Sequence, residues 1–525
     1  MNLLQEFPFE LIHRDGSRHR VPFSRISEGH WVDIWAPRPD FRGAAYQFAI
    51  GLLQLAYAPA DQEDWQEAWE APPDPQRLAE AFRPYIAAFE LDQDGAAFMQ
   101  DADLPEAESK GIAGLLIDAP GEKTIRDNLD HFVKRDAVTQ MCPHCVAAAL
   151  FTLQINAPSG GVGHRVSLRG GGPLTTLLVP ADPDASLWHR LWLNVLPDDA
   201  LRYGKINKLS DVLPWMGAPR TSDAKGVGDT PPEAVHRLQA YWSMPRRIRL
   251  EFQSVNSAYC DVCGAVANTL ARTYRTRNYG VNYTGGWLHP LTPYNFDPKT
   301  GPLPLKGQRG GIGYRHWLGL TIGGQQDTGP KPARVVQHFN LNHHQHRLSR
   351  PRLWCFGFDM ENMKARCWYD STLPMHAVEP SRQVPYAMAV KALLDVAAET
   401  AALLGRSVRN ARFSRPQDAP PQPEIPQSFW ESTESTFYAA VQQLTQVDPA
   451  DDSVLAPIYY RWLVSMRAEA LRLFDHWARA LPSEDANTRR IVEQREALAK
   501  SLNGSKPMKS LWQIVNTYRQ DKEAA

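Results

Sequence analysis

The sequence predicts an α+β protein in two parts: a large mixed α/β N-terminal domain with long loops, residues 1–380, and a C-terminal antiparallel four-helix bundle, residues 385–525. Three observations carry this reading. A chain of 525 residues that is 43% hydrophobic can bury more than one core, so two or three domains are expected. From Gly111 to about Pro380, short β-prone runs alternate with glycine and proline clusters. Beyond that point apolar residues recur at three- and four-residue spacing over long stretches, which marks amphipathic helices.

Taken from the start, Met1 to Asp15 holds Glu6 and Glu10 and no sustained apolar run. No stretch reaches the roughly 18 apolar residues of a membrane span, and a soluble, cytoplasmic protein is expected. Phe41, Ala45, Phe48, Leu52 and Leu55 share one helical face and predict a helix over residues 41–57. Helical pieces continue from Trp65 to Phe98, cut by Pro72, Pro73, Pro75 and Pro84, because proline lacks a donor and blocks the preceding turn. Leu174 to Val179 and Arg247 to Phe252 read as strands. Val390, Leu394, Ala397, Ala401, Leu404 and Val408 line the first bundle helix, which a proline-rich linker, Pro416 to Pro426, ends. Ser428 and Glu431 have capping-box spacing and predict a second helix running through Leu444. Tyr459, Leu463, Met466, Ala470 and Phe474 line a third, and Ile491, Leu498 and Leu502 a fourth. Short connections make such helices antiparallel neighbours.

A net charge of −1 argues against a free-standing nucleic-acid binder, which usually carries a basic surplus. The average hides an asymmetry. Asp61 to Lys110 holds 14 acidic and 3 basic residues, whereas Arg237 to Arg352 holds 16 basic and 4 acidic. Either the basic stretch meets a polyanion, or the two regions pair inside the fold.

Six cysteines in this length do not make a disulfide framework, but four of them form two C-x-x-C pairs, Cys142-Pro-His-Cys145 and Cys260-Asp-Val-Cys263. Four thiolates complete a tetrahedral zinc site with no position left for water, so a structural Zn2+ joining two distant loops is expected. A redox pair or four buried thiols is the plainer alternative. Cys355 and Cys367 lie outside the pattern and are expected in the core.

Two glycine-rich segments, Ala157-Pro-Ser-Gly-Gly-Val-Gly163 and Arg169-Gly-Gly-Gly-Pro173, offer backbone that another molecule can approach closely; tight turns are the plainer reading. Neither has phosphate-loop or dinucleotide spacing. Arg272, Tyr274, Arg275, Arg277, Asn278 and Tyr279 interleave cations with aromatics, which suits phosphate contact and groove insertion but also a solvated strand. His338, His343, His344 and His346 lack a carboxylate at ligand spacing and read as surface residues. No nucleophile elbow, H-E-x-x-H helix or His-Asp dipeptide occurs, and no enzymatic activity is expected.

Met1-Asn-Leu-Leu4, Phe98-Met-Gln100, Cys142-x-x-Cys145 leading into Ala147-Ala-Ala-Leu-Phe151, Ala157-Pro to Arg169-Gly-Gly-Gly-Pro173, Leu191-Trp-Leu-Asn-Val195 and Gly286-Trp-x-His-Pro290 occur in an order that resembles the CasA-type large subunit of the type I-E CRISPR Cascade complex. The resemblance runs from residue 1 to the terminal bundle. It implies a non-catalytic DNA-surveillance subunit in antiviral defence. Its partners would be the other Cascade subunits with crRNA, the double-stranded target DNA and a helicase-nuclease effector. The family reads the PAM mainly from the minor groove, whose degenerate chemistry favours recognition by width and close backbone approach.

Carried over by the resemblance, the family's glycine loop falls on Gly160, Gly161, Val162 and Gly163. Its lysine finger falls on Arg275 to Asn278, where no lysine occurs, so Arg275 or Arg277 would serve beside Asn278. The wedge that starts strand separation falls on Gly357 to Lys364, with Asn362 and Met363 at its tip and Lys364 beside them. Met363 stands where the family has glutamine and would act as an apolar insert. A further DNA- and subunit-contacting loop falls on Phe132, Val133 and Lys134. Guide pairing replaces DNA pairing at nearly balanced free energy, so such contacts suffice to tip R-loop formation. The alternative is a zinc-stabilised scaffold subunit without direct DNA contact.

Overall fold

The computed structural model of the chain describes residues 1–104, 107–128, 136–223, 225, 227–323, 328–342, 351–361, 364–480 and 487–523. Two units emerge, one of Met1–Gly311 with Thr328–Thr372 and one of Ile312–Asp327 with Leu373–Ala525.

The first unit is built on the helix Pro39–Ala56, which starts with proline where a missing N–H costs nothing. The five apolar positions read from the sequence are all buried. Phe48 lies 5.4–5.9 Å, ring to ring, from Phe7, Phe98, Phe151 and Trp242, and this aromatic cluster forms a core. Helices Gln62–Glu70 and Pro75–Phe82 follow, each capped by an aspartate, Asp61 and Asp74, whose carboxylate accepts from free backbone amides.

Four three-stranded sheets complete the described strands. Strands β1 (Glu10–His13), β2 (Arg18–His19) and β3 (Trp31–Trp35) form one, with β1 central. In a second, β4 (Glu108–Gly111) pairs with one edge of a long hairpin; a third places β5 (Thr175–Val179) beside a later hairpin. The long hairpin is β6 (Arg247–Tyr259) and β7 (Val266–Arg277). Strands β8 (Tyr294–Asp297), β9 (Gly301–Pro304) and β10 (Gly329–Lys331) make the fourth sheet. The hairpin beside β5 consists of β11 (Arg352–Glu361) and β12 (Lys364–Pro374). Both runs read as strands are therefore strands, the second extending to Tyr259.

Opposite charge meets inside this unit. Strand β4, from the acidic stretch, is hydrogen-bonded to β7 of the basic one, and Arg247 Nε lies 2.6 Å from the fully buried Asp101 carboxylate. Arg249 donates to the carbonyls of Gln93 and Gly95. Part of the basic surplus is thus consumed by the fold.

The helix Pro143–Asn156 was not foreseen from periodicity. Every residue from Cys145 to Asn156 is buried, and a helix buried all round has no polar stripe to reveal it.

The second unit holds five described bundle-type helices, where four were expected: Gln383–Arg412, Glu424–Gln446, Asp452–Arg479, Thr488–Gly504 and Lys506–Glu523. The last two are separated at Ser505, whose extended backbone stops one helix just before Pro507 enters the first turn of the next. The capping box at Ser428 is also corrected. Its helix begins at Glu424, Pro426 is absorbed into the first turn, and the Ser428 hydroxyl donates to the Ile425 carbonyl inside the helix. The expected apolar seams are largely present: Val390, Ala397, Leu404, Tyr459, Leu463, Met466, Phe474, Leu498 and Leu502 are buried. Leu394 is half-buried, and Leu393 takes its place in the seam, where the Trp462 indole donates to its carbonyl at 3.0 Å. No described helix is long and apolar enough to cross a membrane.

Candidate metal centre and nucleic-acid interface

Cys142 is the N-cap of the helix Pro143–Asn156 and Cys145 sits in its first turn, while Cys260 and Cys263 form the turn that joins β6 to β7. All four Sγ atoms lie within 4.8 Å of one another, and Cys142 and Cys263 are 3.8 Å apart. A tetrahedral ion with Zn–S bonds of about 2.3 Å needs S···S edges of about 3.8 Å, so the cluster has the size of one thiolate-bound ion. Three of the cysteines are buried and Cys263 is half-buried.

Hydrogen bonds hold the two halves together. One oxygen of Asp261 accepts from Thr139 N, Thr139 Oγ1 and Gln140 N at 2.7, 2.9 and 3.0 Å. Asp261 N donates back to the Gln140 carbonyl, and Met141 bridges to Ala271 of β7. Such crowded thiols cannot ionise independently: hydrogen bonding to Cys142 pushes the Cys145 thiol up and holds Cys263 at about 7. A bound dication would favour all four thiolates together. His144 turns instead to Glu6, at 2.8 Å, and burial pulls its imidazole down to about 4. Four protein donors leave no place for an activated water.

The other end of the same helix leads into the glycine loop, and here the structure joins two sequence-distant candidates. Asn278 Nδ2 donates to the Val162 carbonyl and Tyr279 N donates to the Gly163 carbonyl, both at 2.8 Å. Gly163 has φ +80, and a Cβ there would lie 2.8 Å from Asn278 Cβ, so only glycine fits. Gly161 faces open space, and Val162 at the loop tip is 80% exposed. Arg275 and Arg277 are exposed on β7; the Arg275 Nε lies 3.4 Å from the Glu251 carboxylate. Arg272 donates to Gln140 at the metal end.

Gly357 to Glu361 lie on β11, and the exposed Lys364 begins β12. Arg366 makes a two-pronged contact with the buried Asp359 and reaches Glu361 at 2.5 Å. Trp368 packs on Phe356 and Phe358, which stiffens this hairpin. Asn362 and Met363, and likewise Phe132, Val133 and Lys134, lie outside the described residues. So do His343, His344 and His346, whereas His338 is half-buried and lies 3.0 Å from Gln62 Oε1. Cys355 is buried as expected, but Cys367 is exposed, since its side chain falls on the open face of β12.

Sequence reasoning missed Arg169. Its guanidinium is buried and donates to the Thr175 and Thr292 hydroxyls, the Gln47 amide oxygen and the Ile155 carbonyl. All four acceptors are neutral, and burial lowers the group to about 10, leaving it charged at neutral pH. It anchors the glycine turn that follows it. Nothing local in the motif signals this role.

A mixed α+β unit tied by a four-cysteine cluster, with a separate unit of long helices, defines a fold shared with solved CRISPR-associated proteins. The chain is similar to Thermobifida fusca Cse1, with a TM-score of 0.69, 15% identity and 98% of both chains covered. It is similar to Thermus thermophilus CasA (Cse1), with a TM-score of 0.67, 17% identity, and 96% of this chain and 99% of that one covered. A chain of a CRISPR RNA-guided surveillance complex matches with a TM-score of 0.67 at 15% identity, over 96% of this chain and 99% of that chain. At these identities the likeness is one of fold. The sequence profile of the family described as CRISPR-associated protein Cse1 matches residues 2–473, and the chain belongs to that family. The CasA-type resemblance read from short ordered motifs is borne out.

Proposed function

We propose that this chain is the large, non-catalytic subunit of a type I-E Cascade surveillance complex. In this reading it recognises the PAM in double-stranded DNA, opens the adjoining duplex for crRNA-guided R-loop formation and helps recruit the helicase-nuclease effector. The observation that carries it is the contact of Val162 and Gly163 with Asn278 and Tyr279. A bare backbone loop and the end of a cationic strand, 116 residues apart in sequence, present one surface, suited to a groove where side chains have little room. The surveillance-complex relative supports the assembly. Guide-loaded subunits and target DNA are the partners this reading requires, and it has no membrane role.

The hairpin of β11 and β12 is the proposed wedge, with Asn362 and Met363 at its tip, and Phe132 to Lys134 a proposed further contact. Zn2+ bound by Cys142, Cys145, Cys260 and Cys263 is the proposed structural metal. It would supply a cross-link between the helix start and the hairpin turn. The protein's own part is to orient both segments before the ion binds, through Asp261 and the Met141–Ala271 bridge.

The test is duplex binding to a PAM library by the reconstituted complex, with the wild-type chain, without it, and with Arg275→Ala/Arg277→Ala. The double variant is expected to weaken binding roughly tenfold near physiological salt, with a shallower salt dependence. PAM selection that is unchanged when the chain is left out overturns the reading.

A further inference from the structure

The helix Pro143–Asn156 ends where the glycine loop begins, and a helix C-terminus is unfavourable beneath a polyanion. The last carbonyls of a helix carry about half a negative elementary charge, so an uncovered end under Gly160 to Gly163 would repel the phosphates that line a groove. Two arginines cover it. Arg169 donates to the Ile155 carbonyl in the last turn, and Arg246 donates to the Pro158 carbonyl just past the helix. Gln154 fixes Arg246 in place: its side-chain amide accepts from the Arg246 backbone N–H and donates to the Arg246 carbonyl, both at 3.0 Å. A third arginine, Arg165, follows the loop. Its guanidinium donates to the Ser222 hydroxyl and the Asp223 carbonyl and lies 5.7 Å from the centre of the Tyr279 ring.

These three cations share one property. Among the described residues none of them makes an ion pair, and each donates to neutral acceptors. Asp223 turns its carboxylate to the backbone amides of Lys225 and Val227. The acidic side chains that bear on Arg246 and Arg169 are phenols, Tyr274 beside the first and Tyr241 and Tyr294 beside the second. Arg169 is buried; Arg246 is half-buried, with an Nε that is buried and without a partner among the described residues. Burial lowers both guanidinium groups to about 10, so both stay charged at neutral pH. Desolvating a cation with no carboxylate beside it is unfavourable, and a neutral amide such as glutamine would serve the same carbonyls at less cost. The charge itself therefore has a use outside the fold.

We propose that Arg165, Arg169 and Arg246 charge the glycine loop from beneath, reversing the sign of the helix end so that bare backbone meets the duplex at a positive potential. This inference rests on the duplex-reading function above and explains how Gly160 to Gly163, a loop with no cation of its own, attracts a polyanion. Charge placed under the loop leaves the groove sterically open, whereas a long cationic side chain in the loop would fill it. The apolar surroundings of a buried guanidinium also focus its field outward.

The experiment measures binding of one PAM-containing duplex to the reconstituted complex at about 50 and 200 mM salt, with a melting curve for each chain. It compares wild type, Arg246→Gln, Arg246→Lys, Arg165→Gln and Arg275→Ala/Arg277→Ala. Glutamine offers the Pro158 carbonyl a donor without charge, and lysine keeps the charge without the guanidinium. Arg246→Gln is expected to bind about threefold more weakly at the lower salt, with a gap that narrows as salt screens the field. Arg246→Lys should restore most of the affinity. A glutamine variant that binds like wild type overturns the proposal. So does a lysine variant as weak as the glutamine one, or a loss that is the same at both salts, because either pattern marks a role in shape. If Arg246→Gln fails to assemble, Arg165→Gln, at a half-buried position, carries the test: a salt-dependent loss supports the charge, and wild-type binding overturns it. Should the glutamine variants bind normally while Arg275→Ala/Arg277→Ala weakens binding, the duplex reading stands and only the charge beneath the loop is lost. If no variant changes affinity, the duplex reading falls with it.

Discussion

The cysteine cluster and the glycine contact join the same two stretches of chain by opposite means. At the cluster, four side chains converge from the start of the helix Pro143–Asn156 and from the turn of the β6–β7 hairpin. At the far end of that helix, the glycine loop meets Asn278 and Tyr279 because side chains are missing. The spans agree. Fourteen helical residues cover about 21 Å. The seven steps from Ala271, which bridges to Met141, to Asn278 cover about 23 Å of strand. Helix and strand are thus two struts of matched length, pinned at one end by converging thiols and at the other by bare backbone. One pin is suited to holding a metal that never meets the ligand, the other to being approached. A metal held at the distant end would fix the register of the exposed end without occupying it.

The comparison breaks most severely at the metal pin. Cys142→Ser removes one of four ligands, and the remaining three thiols are left buried around a defective site. The variant is expected to lose bound zinc and to be destabilised by on the order of 4 kcal/mol, the range that follows loss of a structural metal. Metal analysis together with thermal unfolding checks it. A zinc-free wild-type protein of unchanged melting temperature would remove the metal from the account. Because Asp261 and the Met141–Ala271 bridge hold the segments independently of the ion, partial folding without zinc is also expected.

The two pins differ just as much in how far the sequence announces them. A C-x-x-C pair states its chemistry locally, because a thiolate's preference for zinc does not depend on the fold, and two such pairs need only be brought together. The glycine contact is written nowhere locally. Asn278 shows its role only once β7 has delivered it to Val162, and Arg169 becomes recognisable only when Gln47, Thr175 and Thr292 surround it. The same distinction runs through the fold. Amphipathic stripes such as that of Tyr459 to Phe474 were legible, while the connecting helix Pro143–Asn156 was not, being apolar and buried on every side. Helix boundaries were misplaced where proline has two readings. Pro426 looked like the end of a linker yet occupies a first helical turn, and Pro507 sits in the first turn of a fifth helix, Lys506–Glu523, that none of the expected seams covered.

At the glycine pin, Gly163→Ala is expected to cost about 2–3 kcal/mol, since the new methyl must adopt left-handed backbone and press on Asn278 Cβ. Its duplex affinity should fall as well, because the loop can no longer keep its bonds to Asn278 and Tyr279. Chemical denaturation and duplex titration measure the two effects separately. Unchanged stability would mean that the loop can shift away at little cost and that the pin is soft.

The smallest effect on stability is expected two residues earlier, and it sharpens the comparison furthest. Gly161 has no atom within 4 Å of where a Cβ would stand and no left-handed backbone, so Gly161→Ala should leave stability within about 0.5 kcal/mol of wild type. Its open surroundings in the protein leave only an external molecule to object to the added methyl. If bare backbone enters a groove here, Gly161→Ala must weaken duplex binding by the assembled complex while the melting curve stays in place. Glycine at this position would then be needed by the ligand and not by the fold. Equal affinity with equal stability would show that the duplex never comes this close, and the close approach would have to be made elsewhere on the loop.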